Sequence, residues 1–288
     1  MAVPRSTPTT RQRELAERLR ELRTAVGLTV DAVAEALLVS ASKISRIETA
    51  SRRASPRDVR DLCLLYRVPT DERDRLMALA AQALETTWYQ DADIDAVYGT
   101  FIGLEEAASA IDTFQNLIAP GLLQTPEYAR ALLNGLRPRG RLSADRIEEY
   151  LAVRVRRQGI LTRSDPPSLH AVLDEGALTR PIGDATVMTG QIDRLIESTD
   201  LPHVTVQVVP VGAGSHPGLD GRFSVLHFAD QVVRDTVYIE GLLGELFLDK
   251  ESDVDRYQEI FRFLADDVAL DPTRSRALLV DIRNSWRR

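Results

Sequence analysis

The chain has 288 residues, of which 44% are hydrophobic and 27% are charged, and its formal net charge is −7. This composition is typical of a globular protein with about two domains and excludes a largely disordered chain. No apolar run approaches the length of a membrane span, the first residues lack the apolar core of a signal peptide, and the single cysteine excludes an internal disulfide and a Cys-rich zinc site. We therefore expect a cytoplasmic protein with no membrane partner, no metal and no cofactor.

The charge is distributed unevenly along the chain. Residues 1–67 contain 13 Lys and Arg against 8 Asp and Glu, so residues 68–288 carry a net charge of −12. A basic head on an acidic body is the pattern expected when one domain approaches phosphates. The chain has only two lysines (Lys43 and Lys250) beside 34 arginines, which indicates GC-rich coding DNA.

The residue pattern of the basic N-terminal segment, residues 1–67, predicts a small bundle of helices. Gly27 can end a first helix, and two short helices then surround a tight turn within residues 28–48. Ser55-Pro56 is typical of the start of another helix, because serine caps a helix and proline suits its first position. The apolar stripe of the first helix comprises Leu15, Leu19, Leu22 and Val26.

The second short helix has two chemically different faces. Ser40 can cap it, and Ile44 and Ile47 form its apolar face. The remaining positions carry hydroxyls and cations, which contact base edges and phosphates in protein–DNA complexes. We predict a DNA-binding site that consists of Thr29, Ser40, Ser42, Lys43, Ser45, Arg46, Arg52 and Arg53. The alternative is an all-helical bundle with charged outer faces and no DNA role.

Residues 9–69 resemble an Xre-type helix-turn-helix domain, the lambda-repressor-like fold. The matching positions include Leu22-Arg23, Gly27-Leu28-Thr29, Val39-Ser40, Ile44-Ser45, Ile47-Glu48 and Leu64–Val68. The resemblance implies an all-α domain that binds double-stranded DNA. Two positions depart from the family pattern: Val30 stands where a glutamine often contacts DNA, and Ala50 stands where glycine often follows the recognition helix.

The rest of the chain predicts an α+β domain with a small mixed sheet. We place domains at 1–85 and 86–288, with helices at 70–85, from Phe101 or Leu104 to Leu117, and at 126–133, 142–158, 187–197, 253–264 and 272–285. Runs of β-branched and aromatic residues predict strands at 169–173, 204–209, 222–228 and 236–240.

The second domain contains several short segments of a recognisable pattern: Glu105–Ala108, Pro120–Arg130, Val155–Gln158, Leu173–Leu178, Val208–Pro210, His216–Gly218 and Tyr238–Glu240. In these segments it is similar to the antitoxin-like C-terminal domain of unknown function that is common in actinobacterial, WhiJ-like regulators. The similarity implies a transcription factor that is often encoded beside a small partner protein, and it implies no reaction.

No catalytic motif with a recognised spacing is present in the second domain. His, Asp and Glu residues near the strand ends could in principle form an acid–base or metal site, but none has ligand spacing. A pocket over the sheet lined by Phe223, His227 and Tyr238 is our hypothesis for an effector site.

The first functional hypothesis is therefore a dimeric DNA-binding regulator, because one recognition helix covers only a half-site. Its second domain would bind an effector or partner. The second hypothesis is an antitoxin-like protein that mainly binds a small neighbouring-gene product and regulates its own synthesis. A cryptic hydrolase is the third; we expect that the protein is not an enzyme.

Overall fold

The computed structural model describes residues 10–84, 88–89, 94–135, 143–229, 234–241 and 244–288. The chain divides into two compact units, Met1–Leu104 and Glu105–Arg288. This division lies after the predicted boundary at 85/86, since Tyr89, Phe101 and Ile102 are already buried and Arg13 of the first helix donates to the Thr100 hydroxyl at 3.2 Å. The predicted helix limits at Glu85 and Leu142 lie outside the described residues.

The N-terminal unit consists of helices, as the pattern predicts. They are α1 (Thr10–Ala25), α2 (Val30–Ala36), α3 (Ala41–Glu48), α4 (Pro56–Leu65), α5 (Thr70–Leu84) and α6 (Ala96–Ala107), the last of which crosses the division. The core joins the apolar faces of the first five and includes Leu15, Leu19, Val33, Ile44, Ile47, Val59, Leu62, Cys63 and Leu76. Val26 is the wrong member of the predicted stripe: α1 ends at Ala25, and Val26 is 44% exposed.

Side-chain hydrogen bonds cap the N-terminal ends of three of these helices at the predicted residues. The Thr29 and Ser40 hydroxyls accept from the backbone N–H of Ala32 and Lys43, and Ser55 forms a reciprocal capping box with Asp58. Gly27 ends α1 with φ +70°, a conformation that glycine adopts without strain. Burial raises the pKa of the Cys63 thiol to about 11, which fits its position in the core.

The C-terminal unit is built on a six-stranded mixed sheet with the order β3-β2-β1-β4-β5-β6. The strands are β1 (Ala110–Gln115), β2 (Ser168–Asp174), β3 (Val204–Val209), β4 (Phe223–His227), β5 (Thr236–Gly241) and β6 (Gly244–Leu248). β1, β2 and β3 are parallel, and β4, β5 and β6 continue the sheet in antiparallel pairs. The helices are α7 (Pro126–Gly135), α8 (Ala144–Arg157), α9 (Gly176–Thr179), α10 (Ala185–Ser198), α11 (Glu251–Phe263) and α12 (Pro272–Trp286).

The four predicted strands are confirmed, but the long helix predicted to reach Leu117 is wrong. Its helix ends at Ala107, and Ala110–Gln115 form the central strand β1. Ile111 and Phe114 are three residues apart and imitate a helical stripe; in the strand they face opposite sides of a sheet that is covered on both faces. β6 was not predicted, because Gly244–Leu248 is a short edge strand with one glutamate.

One face of the sheet packs against α11 and the helical turn that follows it. Phe114, Val172, Phe223, Val225 and Val237 contribute to this core from four neighbouring strands. The outer edge of β3 is closed by the chain itself, since the Leu270 N–H donates to the Val208 carbonyl and the Ser275 hydroxyl accepts from the Val208 N–H. This closure hides an edge that could otherwise pair with another strand.

A buried ion pair explains a glycine in the C-terminal unit. Arg157 and Glu105 are nearly inaccessible and their Nε and Oε2 atoms lie 2.8 Å apart. Burial raises the pKa of Glu105 to about 7, against the opposing effect of Arg157. A Cβ atom on Gly121 would overlap the Arg157 Nη2 atom, so a larger residue would displace the guanidinium.

The turn between α2 and α3 contains a strained residue. Leu38 has φ +53° and is 93% exposed, so its side chain gains little packing in return for a left-handed backbone. We predict that Leu38→Gly increases the free energy of unfolding of the N-terminal unit by about 0.5–1 kcal/mol, because glycine removes a larger strain than the entropy it costs. Hydrogen exchange of the most protected amides in α1 and α3 measures this free energy.

Leu38→Ala is the matched control for this prediction. Alanine retains the Cβ atom that causes the strain, so it should change the free energy by less than about 0.5 kcal/mol. Equal effects of the two substitutions would contradict the explanation.

Candidate DNA-binding surface

Helix α3 buries one side and exposes the other. Ile44, Ile47 and Glu48 are buried, and four polar residues at positions i, i+3, i+4 and i+7 are exposed. We call these four residues the exposed row of α3: Ser42, Ser45 and Arg46 within the helix, and Thr49, which caps its C-terminal end. A row of short hydroxyls around one arginine can enter a groove and donate or accept hydrogen bonds at base edges.

Three of the predicted site residues therefore lie on one surface. The Arg46 Nε atom donates to the Ser42 carbonyl at 3.1 Å, which holds the arginine along the helix. Thr49 completes the row and was not predicted; its hydroxyl donates to the Ser45 carbonyl at 2.9 Å. Thr49 lies seven residues after Ser42, so helical spacing alone would add it to the row; it follows Ile47-Glu48, the last matching residues of the helix in the resembling family.

The residues predicted to support binding at the DNA phosphates lie on either side of this row in the sequence. Thr29 and Ser40 are exposed at the beginnings of α2 and α3, and a hydroxyl that caps a helix as an acceptor can also donate to a phosphate. Arg52 and Arg53 are exposed in the loop between α3 and α4. The Arg52 N–H donates to the Arg46 carbonyl at 2.9 Å, so this loop turns back over the end of the helix.

Lys43 lies outside the row. Its ammonium pairs with the Asp58 carboxylate at the start of α4, and the two side chains are 23% and 17% exposed. Burial raises the pKa of Asp58, but hydrogen bonds from Lys43 and Ser55 outweigh it and lower the pKa below its usual value. The structure thus places Lys43 between two helices, although the sequence predicted it on the DNA-facing surface.

A buried ion pair fixes α3 to α1. The Arg23 Nε and Nη2 atoms donate to the two carboxylate oxygens of Glu48 at 2.7 and 3.0 Å, and the Arg23 Nη1 atom donates to the Leu28 carbonyl at 2.7 Å. The two side chains are 15% and 5% exposed. The hydrogen bond to Glu48 raises the pKa of Arg23. A bidentate ion pair of this kind restrains the orientation of the two side chains as well as their distance.

The two departures from the resembling family have structural outcomes. Val30 is partly buried and packs against the core, so the valine side chain contributes apolar contacts at a position where the family often has a polar glutamine. Ala50 has φ +52°, the left-handed conformation that glycine adopts at lowest cost. Alanine therefore retains a conformation suited to glycine, at the expense of backbone strain.

The predicted effector pocket requires correction. Phe223 and Val225 share a face with Val237, because Val225 lies opposite Val237 in the β4–β5 pair. Tyr238 lies opposite Ser224 on the other face, where its ring contacts Phe247 at 5.3 Å between centroids. Phe223 and His227 on one face and Tyr238 on the other do not line one pocket. The face on which each residue lies depends on the strand register, which the residue types alone do not specify.

His227 has a different environment from the one predicted. Its Nε2 and Nδ1 atoms each lie 2.8 Å from a carboxylate oxygen, of Asp112 and Asp235 respectively. Only a doubly protonated imidazolium can donate to both. The hydrogen bond to Asp112, and then that to Asp235, outweigh burial and raise the pKa of His227.

A surface groove with a volume of about 550 Å³ lies beside this histidine. Its lining is mainly acidic: Arg234, Asp235, Asp249, Glu251, Val254, Asp255 and Gln258. Asp235 joins the groove to the histidine, because the Gln258 Nε2 atom and the His227 ring both donate to its Oδ2 atom. The groove is therefore negatively charged and differs from the aromatic pocket predicted over the sheet.

The other histidines have separate partners. His170 contacts Gln207 at 2.6 Å, His203 contacts the Leu161 carbonyl at 3.0 Å, and His216 lies 3.3 Å from Asp174. In the described part of the chain, no group of three or more His, Cys, Asp or Glu side chains is arranged to hold a metal ion. Within the same residues, no helix is both long and apolar enough to cross a membrane.

Fold and surface define the class of protein: a helix-turn-helix DNA-binding unit joined to an α+β unit. Comparison with protein families agrees, since residues 14–76 match the model described as Helix-turn-helix domain and residues 98–281 match the model described as Domain of unknown function (DUF5753). The second match covers more than half of the chain, and the protein belongs to the DUF5753 family. No curated protein and no solved structure matches the chain significantly.

Removing Glu48 tests the ion pair that fixes α3. Glu48→Ala leaves the partly buried Arg23 guanidinium without its counter-charge, and we expect it to destabilise the N-terminal unit by about 1–3 kcal/mol. The control is the double variant Arg23→Met/Glu48→Leu, which removes both charges and should recover most of that loss. Amide exchange in α1 and α3 measures both; a double variant no more stable than Glu48→Ala would contradict the prediction.

We call His227 with Asp112 and Asp235 the histidine clamp, and it predicts a pH dependence of stability. The pKa of His227 is higher in the folded state than in the unfolded state. The stability that the clamp contributes is therefore complete below the unfolded pKa of about 6.5 and is lost as the pH rises through the folded pKa. We expect the C-terminal unit to lose stability across this window in the wild type, and the loss to be much smaller in His227→Gln. Urea unfolding between pH 6 and pH 9 checks this.

His203→Gln is the control for the histidine clamp, because that ring contacts a backbone carbonyl and no carboxylate. It should retain the wild-type pH dependence. A wild-type profile that is flat, or that is unchanged in His227→Gln, would contradict the proposed role of the clamp.

Proposed function

We propose that the protein is a sequence-specific transcription regulator that binds double-stranded DNA as a homodimer. The observation that carries the proposal is the exposed row of α3 on a helix held by buried contacts to α1. The Helix-turn-helix match supports DNA binding by this unit. Dimerisation is proposed because a single short recognition helix reads too few base pairs for useful specificity.

In this proposal the exposed row contacts base edges, and Thr29, Ser40, Arg52 and Arg53 contact the phosphate backbone on either side. The net positive charge of residues 1–67 supports this assignment. The charge of −12 on residues 68–288 disfavours contact between the C-terminal unit and DNA phosphates. The C-terminal unit would provide the dimer contact and receive an effector or a partner protein. Neither task requires a reaction.

Arg46→Ala tests the DNA-binding surface. We expect it to weaken binding to the selected DNA site by about 1–3 kcal/mol and to relax specificity, because Arg46 is the one cation in the exposed row. The site is first isolated by selection from a random DNA library, and affinity is then measured by fluorescence anisotropy at several salt concentrations.

Arg75→Ala is the charge-matched control. Arg75 is exposed on α5, which packs on α1 and α4, and its removal changes the net charge by the same amount. Equal losses in the two variants would show that only net charge matters. Failure of the wild type to select any DNA sequence would contradict the proposed function and favour the partner-binding alternative.

A further inference from the structure

Lys43 is the third residue of α3, in the first turn of the helix. The positive end of the helix dipole lies there, so a cation at this place is unfavourable unless a nearby anion compensates it. Asp58 supplies that anion from the first turn of α4, where a carboxylate is itself favoured by the helix dipole. The ion pair therefore joins the beginnings of two helices.

Asp58 is held firmly at its position. Its Oδ2 atom accepts from the Ser55 N–H at 3.1 Å and from the Ser55 hydroxyl at 2.8 Å, and its own N–H donates to the Ser55 hydroxyl at 3.1 Å. The Oδ1 atom is left to accept from Lys43. A carboxylate that accepts two local hydrogen bonds can hold the flexible lysine side chain at one place.

We propose that Asp58 is a positioning residue for DNA recognition, which holds the Lys43 ammonium between α3 and α4 so that Lys43 orients α3 and neutralises no phosphate. This inference rests on the proposed function. It also assigns sequence readout to the exposed row of α3 without Lys43, which revises the role that the residue pattern alone suggested.

The proposal has a measurable electrostatic consequence. Each phosphate that a protein cation neutralises contributes about −0.9 to the slope of log affinity against log salt concentration. A lysine held by an aspartate contributes little to this slope. Without the aspartate, the ammonium is free to reach a phosphate, and the slope becomes steeper.

The experiment measures salt slopes for four full-length variants on the selected DNA site and on unrelated DNA. They are Asp58→Asn, Lys43→Met, the double variant, and Asp71→Asn as a control that changes the same charge in the first turn of α5. Methionine preserves the apolar stem of lysine, and asparagine can still accept hydrogen bonds from Ser55.

We expect Asp58→Asn to steepen the slope by up to about 0.9 and to raise the affinity for unrelated DNA several-fold. Lys43→Met should leave the slope unchanged in the wild-type background and make it shallower by about 0.9 in the Asp58→Asn background. Asp71→Asn should leave the slope at the wild-type value. Amide exchange in α3 should accelerate about tenfold in either single variant and no further in the double variant.

Two results would overturn the proposal. A slope that becomes shallower by about 0.9 with Lys43→Met alone would show that Lys43 already neutralises a phosphate. Unchanged slopes and unchanged exchange in Asp58→Asn, with DNA binding intact, would show that the ion pair positions nothing. A wild type that binds no DNA would overturn the proposed function as well, and this outcome is distinguishable because the first two require bound DNA.

Discussion

The Arg23–Glu48 ion pair is the constraint on which the proposed DNA-binding surface depends. A helix of eight residues does not hold its shape or direction alone in water, so α3 needs contacts that fix its orientation. Arg23 supplies them from α1: two N–H groups hold both oxygens of Glu48 at the end of α3, and a third donates to the Leu28 carbonyl just before α2. One buried guanidinium thus ties together the elements around the tight turn.

With α3 fixed at its end by Glu48 and near its start by Lys43, its remaining side chains divide cleanly. Ile44 and Ile47 enter the core, and the exposed row is left to meet the solvent or DNA. The C-terminal unit also contains a buried ion pair, Glu105–Arg157, whose guanidinium occupies the space that a side chain at position 121 would need. In each unit, an ion pair with low solvent exposure thus joins two elements that are distant along the chain.

The sequence predicted the N-terminal unit well because its information is local. Caps such as Ser40 and the apolar spacing of Ile44 and Ile47 act within a few residues. The ion pairs of Arg23 and Lys43 join residues 25 and 15 positions apart, and no local pattern specifies them. The central strand β1 was mistaken for a helix because its burial on both faces hides the alternation of a strand. The faces of Phe223 and Tyr238 depend on strand register, which pairing decides and composition does not.

The central claim is that the exposed row of α3 reads DNA. The most direct measurement is the change in backbone amide NMR shifts of the full-length protein on titration with the DNA that it selects. The account predicts the largest changes at Ser42, Ser45, Arg46 and Thr49, with smaller changes at Thr29, Arg52 and Arg53. Changes confined to residues 105–288, or centred on α5, would contradict it.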